Sequence, residues 1–577
     1  MKQVLIQFLK ENISNSDNID FEKLIEKPKS AAHGDFSFPC FLLAKELKSA
    51  PPQIATQLQE KFSKILPNEF SKVVAMGPFL NFTVNAGQIT KSILQIIESN
   101  EFKNIKSENP QKVLIEYPSP NTNKNLHIGH VRNIFLGNTL INILKFTKNE
   151  VITTNIYNDR GIAICKAMMG YQMLHSKESP ESLNLKPDEF VAKCYVDFES
   201  LSKEDESLIE KAQEMLIKWE ANDKETRDLW TKLLDFVYLG YKETMQNYKV
   251  KKFDENYYES AIYDKGKEIV ENAIKDKVKG FKYDEETGAA LVDFENEIFG
   301  KKYLMRANGT TLYMTQDLYL AKLKEEKYKA DKYVFIVGKE QKYHFDVLFE
   351  ILTRLGLGGA DKNYHFAYGY VYDKDGNKFS SRGGNIISAD EILDEMVENS
   401  KKNLLSKDLT KDLPTEELIK RAKIIGYGAL AFSILNVNAI SDIKFDVQRA
   451  LSFEGETGPY VQYTYARIKS ILRKANRENI ETKDINFENY NETEVNLIKQ
   501  LGEFKSKVLE AEQKYKPSAI SNYLIRVCQS FNEFYQNNKI IGGDEDKLES
   551  RLLLIESTSK IISEGLNLLG IETLEEM

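Results

Sequence analysis

Ser119-Pro-Asn-Thr-Asn-Lys-Asn-Leu-His-Ile-Gly-His-Val-Arg-Asn133 sets a turn, a lysine and two histidines at the point where a strand pattern gives way to a helical one. Upstream, Lys112-Val-Leu-Ile-Glu-Tyr117 is a short apolar run closed by Pro118 and Pro120, which predicts a buried strand ending in a turn. Downstream, Val131, Ile134, Phe135, Leu136, Leu140, Ile141 and Leu144 recur at helical spacing. The stretch is therefore the joint of a strand, loop and helix unit. A helix that starts near His127 puts His127 and His130 one turn apart on one face, at the end where unpaired N–H groups and the dipole attract phosphate. Gly129 between them has no side chain to obstruct a ligand. Two imidazole donors in that place suit the stabilisation of charge that develops on a phosphate during nucleotidyl transfer. The alternative is a pair of surface histidines, and a chain with only six histidines in all gives that alternative little support.

His127-Ile-Gly-His130 resembles the HIGH signature of class I aminoacyl-tRNA synthetases, and the preceding Ser119-Pro-Asn-Thr-Asn-Lys124 resembles its arginyl-tRNA synthetase form. The four-residue signature also occurs in other nucleotidyl transferases of the superfamily, so the remainder of the chain has to decide.

At 577 residues the chain can hold several domains with large cores and needs neither disulfides nor metals for stability. Its 42% hydrophobic and 29% charged residues fit a globular protein, without an apolar run of membrane-spanning length. The first residues, Met1-Lys-Gln-Val-Leu-Ile-Gln-Phe-Leu-Lys-Glu11, have too short an apolar part for a secretory signal. Cys40, Cys165, Cys194 and Cys528 lie far apart and form no CxxC pair, so the expectation is a cytoplasmic protein without structural zinc. A net charge of −8 argues against a nucleic-acid coat protein, but recognition of a nucleic acid needs only a local basic face.

Residues 1–105 form a unit of α+β pattern. Within it Pro51-Pro52 opens a helix, and Val73 to Val84 has strand character interrupted at Gly77-Pro78. Gly34-Asp-Phe-Ser37 and Gly77-Pro-Phe-Leu-Asn-Phe82 resemble the N-terminal additional domain of arginyl-tRNA synthetases, which implies contact with the outer corner of tRNA. Residues 106–400 alternate strand and helix, with further strands at Val151–Ile156 and Lys332–Gly338; this predicts an α/β domain with a Rossmann-like parallel sheet, interrupted by a charged helical insertion at about 176–250 that holds Trp219 and Trp230. Residues 401–454 read as a helical connection, and 455–577 as a helical bundle. The junction Leu451-Ser-Phe-Glu-Gly-Glu-Thr-Gly-Pro-Tyr-Val-Gln-Tyr463 is a specific match to arginyl-tRNA synthetases, in which the bundle binds the anticodon. Arg467, Lys469, Arg473, Lys474 and Arg477 follow without an acid between them. Beside Tyr460, Tyr463 and Tyr465 they predict a face that meets phosphates and stacks on bases, rather than a solvated helix face.

Asp373-Lys-Asp-Gly-Asn-Lys-Phe-Ser-Ser-Arg-Gly-Gly-Asn385 is a polar loop whose flexibility and point charge suit closure over a phosphate. It resembles a degenerate KMSKS loop: Lys378 and Ser380 match, and Ser381 stands where the second lysine would be. The resemblance implies that Lys124, just upstream of the first signature, supplies the missing cation. In Thr310-Thr-Leu-Tyr-Met-Thr-Gln-Asp317, Tyr313 and Asp317 share a helix face, and a carboxylate matches the fork of a guanidinium. The resemblance assigns Glu116, Tyr313 and Asp317 to the arginine side chain, and Asn121 and Gln341 to its α-amino end. Arg160 occupies a position where many family members carry Trp.

Taken together, the resemblance implies an arginyl-tRNA synthetase, expected as a monomer, that uses ATP with Mg2+, L-arginine and tRNA(Arg). His127, Gly129, His130, Lys124, Lys378 and Ser380 would serve ATP, while Tyr460, Tyr463, Arg467 and Arg473 would serve tRNA. Two rivals are another class I nucleotidyl transferase, which the guanidinium pocket disfavours, and a tRNA-binding paralogue without catalysis, which intact His127, Gly129, His130 and Lys124 disfavour.

Overall fold

The computed structural model describes residues 1–577 except 14–18, 29, 31–32, 296–297, 378–386, 407–412, 477–484 and 486–489, and the side chains of Glu46 and Ala86. The chain forms two compact units, one of Met1–Lys103, Arg467–Lys505 and Ile525–Ile562, the other of Asn104–Ala466, Ser506–Leu524 and Ser563–Met577.

In the first unit, β1 (Phe36–Pro39), β2 (Phe70–Met76) and β3 (Phe79–Val84) make an antiparallel sheet in the order β1-β3-β2. The interruption at Gly77-Pro78 is the turn of the β2–β3 hairpin, with Met76 opposite Phe79. Phe38, Phe70 and Phe82 fill the sheet's inner face against Leu5 and Leu9 of helix Lys2–Asn12 and Phe62 of helix Pro51–Phe62. That second helix begins with Pro51 and Pro52, where a missing N–H costs nothing.

The second unit is built on a five-stranded sheet. Its first strands are β4 (Lys112–Glu116), β5 (Glu150–Tyr157) and β6 (Glu255–Tyr258), and α1 (Ile128–Phe146) connects β4 to β5. Between β5 and β6 lies the helical insertion, Pro187–Glu204, Ser207–Glu220 and Lys224–Asn247. Trp219 is buried in it and meets Trp230 edge to face with ring centres 5.3 Å apart. Strands β7 (Phe281–Tyr283), β8 (Ala290–Asp293) and β9 (Lys301–Met305) then form a small antiparallel sheet that the sequence reading did not anticipate. Next come α2 (Tyr313–Tyr328), β10 (Lys332–Gly338), α3 (Lys342–Arg354) and β11 (Asn363–Tyr368). The large sheet has the order β11-β10-β4-β5-β6 with every pair parallel. Leu114 of β4 and Val334 and Ile336 of β10 are buried, as expected of strands covered on both faces.

This order fixes where a ligand can sit. The chain leaves β4 toward β5 and β6 on one side and returns to fill β10 and β11 on the other, so the strand order reverses at β4 and β10; a crevice opens beyond the carboxyl ends of such strands. Glu116 ends β4 and Gly338 ends β10. Near-complete burial of α1 holds its start against that edge, and Gly137 is required within it, because a Cβ there would lie 2.4 Å from the Tyr117 ring. Beyond the sheet, the short pair β12 (Val371–Tyr372) and β13 (Ile443–Lys444), α4 (Ala389–Leu405) and helix Thr415–Leu435 lead to α5 (Gly458–Ala475). Among the described residues no helix is long and apolar enough to cross a membrane.

Candidate active site

The two histidines cap their helix reciprocally. His127 is the N-cap of α1 in an extended conformation, and its Nδ1 accepts the Gly129 N–H at 3.1 Å. The His127 backbone N–H in turn donates to Nδ1 of His130, also at 3.1 Å. The rings lie 4.1 Å apart, and a Cβ on Gly129 would sit 2.9 Å from the His127 ring, so glycine is needed for the close packing. Burial first, and then the nearby Lys124 ammonium, lowers the His127 pKa to about 4; burial, His127 and Lys124 hold His130 well below the usual imidazole range. Both rings are therefore neutral near pH 7. With each Nδ1 accepting, each ring carries its proton on Nε2, the nitrogen left to donate to a ligand.

Lys124 is exposed on the turn before the helix, and its carbonyl accepts the Tyr241 hydroxyl at 2.5 Å. No carboxylate pairs with its ammonium among the described residues. Arg132, one turn into α1 and 0% exposed, ties this helix to distant backbone. Its guanidinium donates to the carbonyls of Gly369 (2.8 Å), Tyr370 (3.1 Å), Asn438 (3.4 Å), Ala439 (2.8 Å) and Ser441 (2.7 Å).

Those contacts hold the strands at the base of the second signature. Past β12, the Asp373 carboxylate accepts the N–H groups of Asp375 (3.0 Å) and Asn377 (2.8 Å). Lys378, Ser380 and Ser381 lie outside the described residues. Where the description resumes, Ser388 pairs with His127 in an isolated bridge and the Ala389 N–H donates to the Leu126 carbonyl at 2.7 Å. Ser388 also caps α4. Both ends of the second signature are thus anchored to the helix that carries the first.

The other half of the edge is acidic. Glu116, 8% exposed, pairs through Oε2 with the buried Lys324 ammonium of α2. Asp317, two turns earlier on α2, accepts from Nε2 of His344 at 2.6 Å. His344 belongs to α3, whose N-cap is the exposed Gln341. Tyr313 opens α2 and is 75% exposed. Asn121 bridges to Asn158, which joins the turns after β4 and β5. His365 instead stacks on Phe345, with ring centres 4.5 Å apart, and hydrogen-bonds the Val337 carbonyl at 3.1 Å.

Glu259 is a residue that the sequence reading missed. It follows the last residue of β6 directly, is 5% exposed, and its pKa rises to about 7, first through burial and then through Asp159 and Asp317, against the pull of Arg160. The Asp159 carboxylate holds this turn by accepting the Ser260 N–H and hydroxyl, both at 2.8 Å. Arg160 lies 4.0 Å from Glu259, pairs with Glu220 and covers the Tyr263 ring at 4.2 Å. A carboxylate at the carboxyl end of a parallel strand is the signal that could have found Glu259, but Glu255-Asn-Tyr-Tyr258 is too polar to stand out as a strand.

On α5, Tyr463 packs edge to face against Phe453 and Tyr460 is half-buried. Further along, Arg467 hydrogen-bonds Asn532 at 3.4 Å and lies over the Tyr535 ring, while Arg473 is exposed. The tyrosines and Arg467 are thus partly engaged within the protein.

A parallel sheet whose first strand runs into a histidine-capped helix, with a second loop anchored to that helix, is the catalytic arrangement of class I aminoacyl-tRNA synthetases. Residues 92–447 match the family described as tRNA synthetases class I (R), catalytic domain; residues 2–84 match the arginyl tRNA synthetase N terminal domain, and 461–577 the DALR anticodon binding domain. An arginine–tRNA ligase of Bacteroides fragilis is 38% identical over 575 residues, covering 96% of this chain and 95% of its own length. One from Amoebophilus asiaticus is 34% identical with 99% of both chains covered. The solved Thermus thermophilus arginyl-tRNA synthetase superposes with a TM-score of 0.75 at 26% identity, covering 100% of this chain and 99% of that one. The chain belongs to the arginyl-tRNA synthetase family.

Proposed function

We propose that the protein joins L-arginine to the 3′ end of tRNA(Arg) in two steps, and that the residues at the carboxyl edge of the sheet divide the first step between them. The arginine carboxylate attacks the α-phosphorus of Mg2+-bound ATP; the new O–P bond forms as the bond to pyrophosphate breaks, leaving arginyl-adenylate. Nε2–H of His127 and His130, the N-terminus of α1 and the Lys124 ammonium face the phosphates and stabilise the charge that gathers in the transition state. Lys378 and Ser380 act on the same phosphates from the second signature, and Lys124 takes the place of the lysine that Ser381 replaces. A terminal ribose hydroxyl of the tRNA then attacks the arginyl carbonyl carbon, and AMP leaves. No side chain serves as a covalent nucleophile.

The observation that carries this chemistry is the reciprocal cap, which leaves two neutral Nε2–H donors at a helix N-terminus. At the arginine end, Asp317 and Glu259 take the guanidinium beside Tyr313, with Glu116, Asn121 and Gln341 completing the pocket. A buried carboxyl whose neighbours include two further acids gains from a guanidinium placed among them. On this reading residues 1–105 meet the outer corner of tRNA, 106–400 catalyse, 401–454 connect, and 455–577 meet the anticodon, with Tyr460, Tyr463, Arg467 and Arg473 on the RNA side. We expect a monomer acting in the cytoplasm. ATP–pyrophosphate exchange with each amino acid, with and without tRNA, tests the assignment: arginine alone should support exchange, and an equal rate with another amino acid would refute it.

A further inference from the structure

Two buried ion pairs of this chain differ in how completely they are satisfied. Arg551 and Glu494 in the first unit are 7% and 0% exposed, and the guanidinium uses Nε on Glu494 (2.8 Å), Nη1 on the Lys539 carbonyl (2.9 Å) and Nη2 on Asn538 (3.0 Å). The Glu494 carboxylate also accepts the Asn491 N–H at 2.7 Å through its other oxygen. That pair behaves as structure, with its polar groups matched.

Lys324 and Glu116 in the second unit are 1% and 8% exposed, yet they leave much unmatched. Among the described residues the Lys324 ammonium has one hydrogen-bond acceptor, Oε2 of Glu116, and otherwise lies near the rings of Phe335 (5.1 Å) and Tyr257 (5.7 Å). The same Oε2 accepts the Thr154 hydroxyl at 3.4 Å. Among the described residues Oε1 takes no hydrogen bond, and Glu116 keeps 8% of its surface exposed. Burying two charges is costly and their attraction does not by itself recover the cost. A pair that concentrates every contact on one carboxylate oxygen, at the carboxyl end of a central strand, is arranged to present the other.

We propose that Lys324 is a positioning residue for arginine recognition: from the core it fixes Glu116 through Oε2 and leaves Oε1 turned to a cationic nitrogen of the substrate. The inference rests on the reading of Glu116 as an arginine ligand. Helix geometry supports it, since Lys324 and Asp317 are seven residues apart and so lie on one face of α2, one reaching under the site and the other at it.

The test is pyrophosphate exchange with tRNA present, measured against arginine and ATP separately, together with thermal unfolding. Lys324→Met should raise KM for arginine at least about tenfold and leave that for ATP within about twofold. Lys324→Gln keeps a hydrogen-bond donor without the charge, and should show the same arginine-specific rise in KM in a fold that tolerates the change better. Lys324→Arg should restore most of the arginine affinity. Equal losses for arginine and ATP, or a thermal destabilisation with unchanged KM in both neutral variants, would show that the pair is only structural and overturn the proposal. Glu116→Gln separates the two claims: an unchanged arginine KM in that variant removes Glu116 from the substrate, whereas a raised KM there with normal kinetics in Lys324→Gln removes only Lys324.

Discussion

The end of the site that we propose for phosphate and the end that we propose for arginine are built in opposite ways. At the phosphate end the decisive contact joins residues three positions apart, the His127 N–H donating to Nδ1 of His130. At the arginine end the decisive contacts join Asp317 to His344, 27 positions away, and Glu116 to Lys324, 208 positions away. A local device needs only a turn and a helix start, so its chemistry is written in consecutive residues. An assembled pocket depends on the sheet order that brings β4, β6, α2 and α3 to one edge. The second end also gathers Glu116, Glu259 and Asp317, which suits the cationic amino acid that we propose for it.

The largest expected effect would show that the phosphate end is not wholly local. Arg132→Met should lower unfolding free energy by more than about 3 kcal/mol, because it strips a charged donor from five carbonyls in a buried setting. Denaturant titration measures it, and a loss near zero would mean that the backbone at 369–370 and 438–441 holds itself. Next in size, Asp317→Asn should weaken arginine binding about 100-fold with little change for ATP; equilibrium titration with each substrate distinguishes that from a general collapse of the site. Lys124→Ala should slow adenylate formation about 10- to 100-fold and leave arginine affinity within about twofold.

A smaller effect comes from Glu259. Its folded pKa of about 7 means that it is largely protonated at pH 6 and ionised at pH 8. Arginine stays cationic throughout, so its KM should fall as pH rises through about 7. Glu259→Gln should remove that dependence, and a flat profile in the parent protein would place the carboxyl away from the guanidinium. Smallest is the change on α5. Replacing Arg467 and Arg473 by Gln should reduce the slope of log K for tRNA binding against log salt by about 1.5, as fewer counterions are released. An unchanged slope would take this helix out of the RNA interface.

The same contrast explains what the sequence disclosed. Lys332–Gly338 was legible as a strand to the residue because it is apolar and covered on both faces; the helix start at His127 followed from the turn before it and the helical spacing after it. The parallel sheet followed from alternating strands and helices. By contrast, the β7–β9 sheet escaped notice, since Phe281–Tyr283 has only three residues and Lys301–Met305 is largely polar on one side. Lys324 looked like one lysine among several on a charged helix. Only its burial, set by residues far away in the chain, separates it from Lys322 and Lys327. Glu259 was hidden likewise, because its raised pKa arises from burial and from the neighbouring Asp159 and Asp317, which adjacent sequence does not reveal.

The central claim is that the two ends act separately in one reaction, and single-turnover formation of arginyl-adenylate in Lys124→Ala, Asp317→Asn and the double variant tests it most directly. With tRNA present, Lys124→Ala should lower the rate constant at saturating substrates while the arginine dissociation constant stays put. Asp317→Asn should raise the arginine constant while the ATP constant stays put, and the double variant should show the two losses added in free energy, as for independent sites. Lys124→Ala weakening arginine as much as Asp317→Asn does, or a double variant no worse than either single one, would contradict the division of the site into a phosphate end and an arginine end.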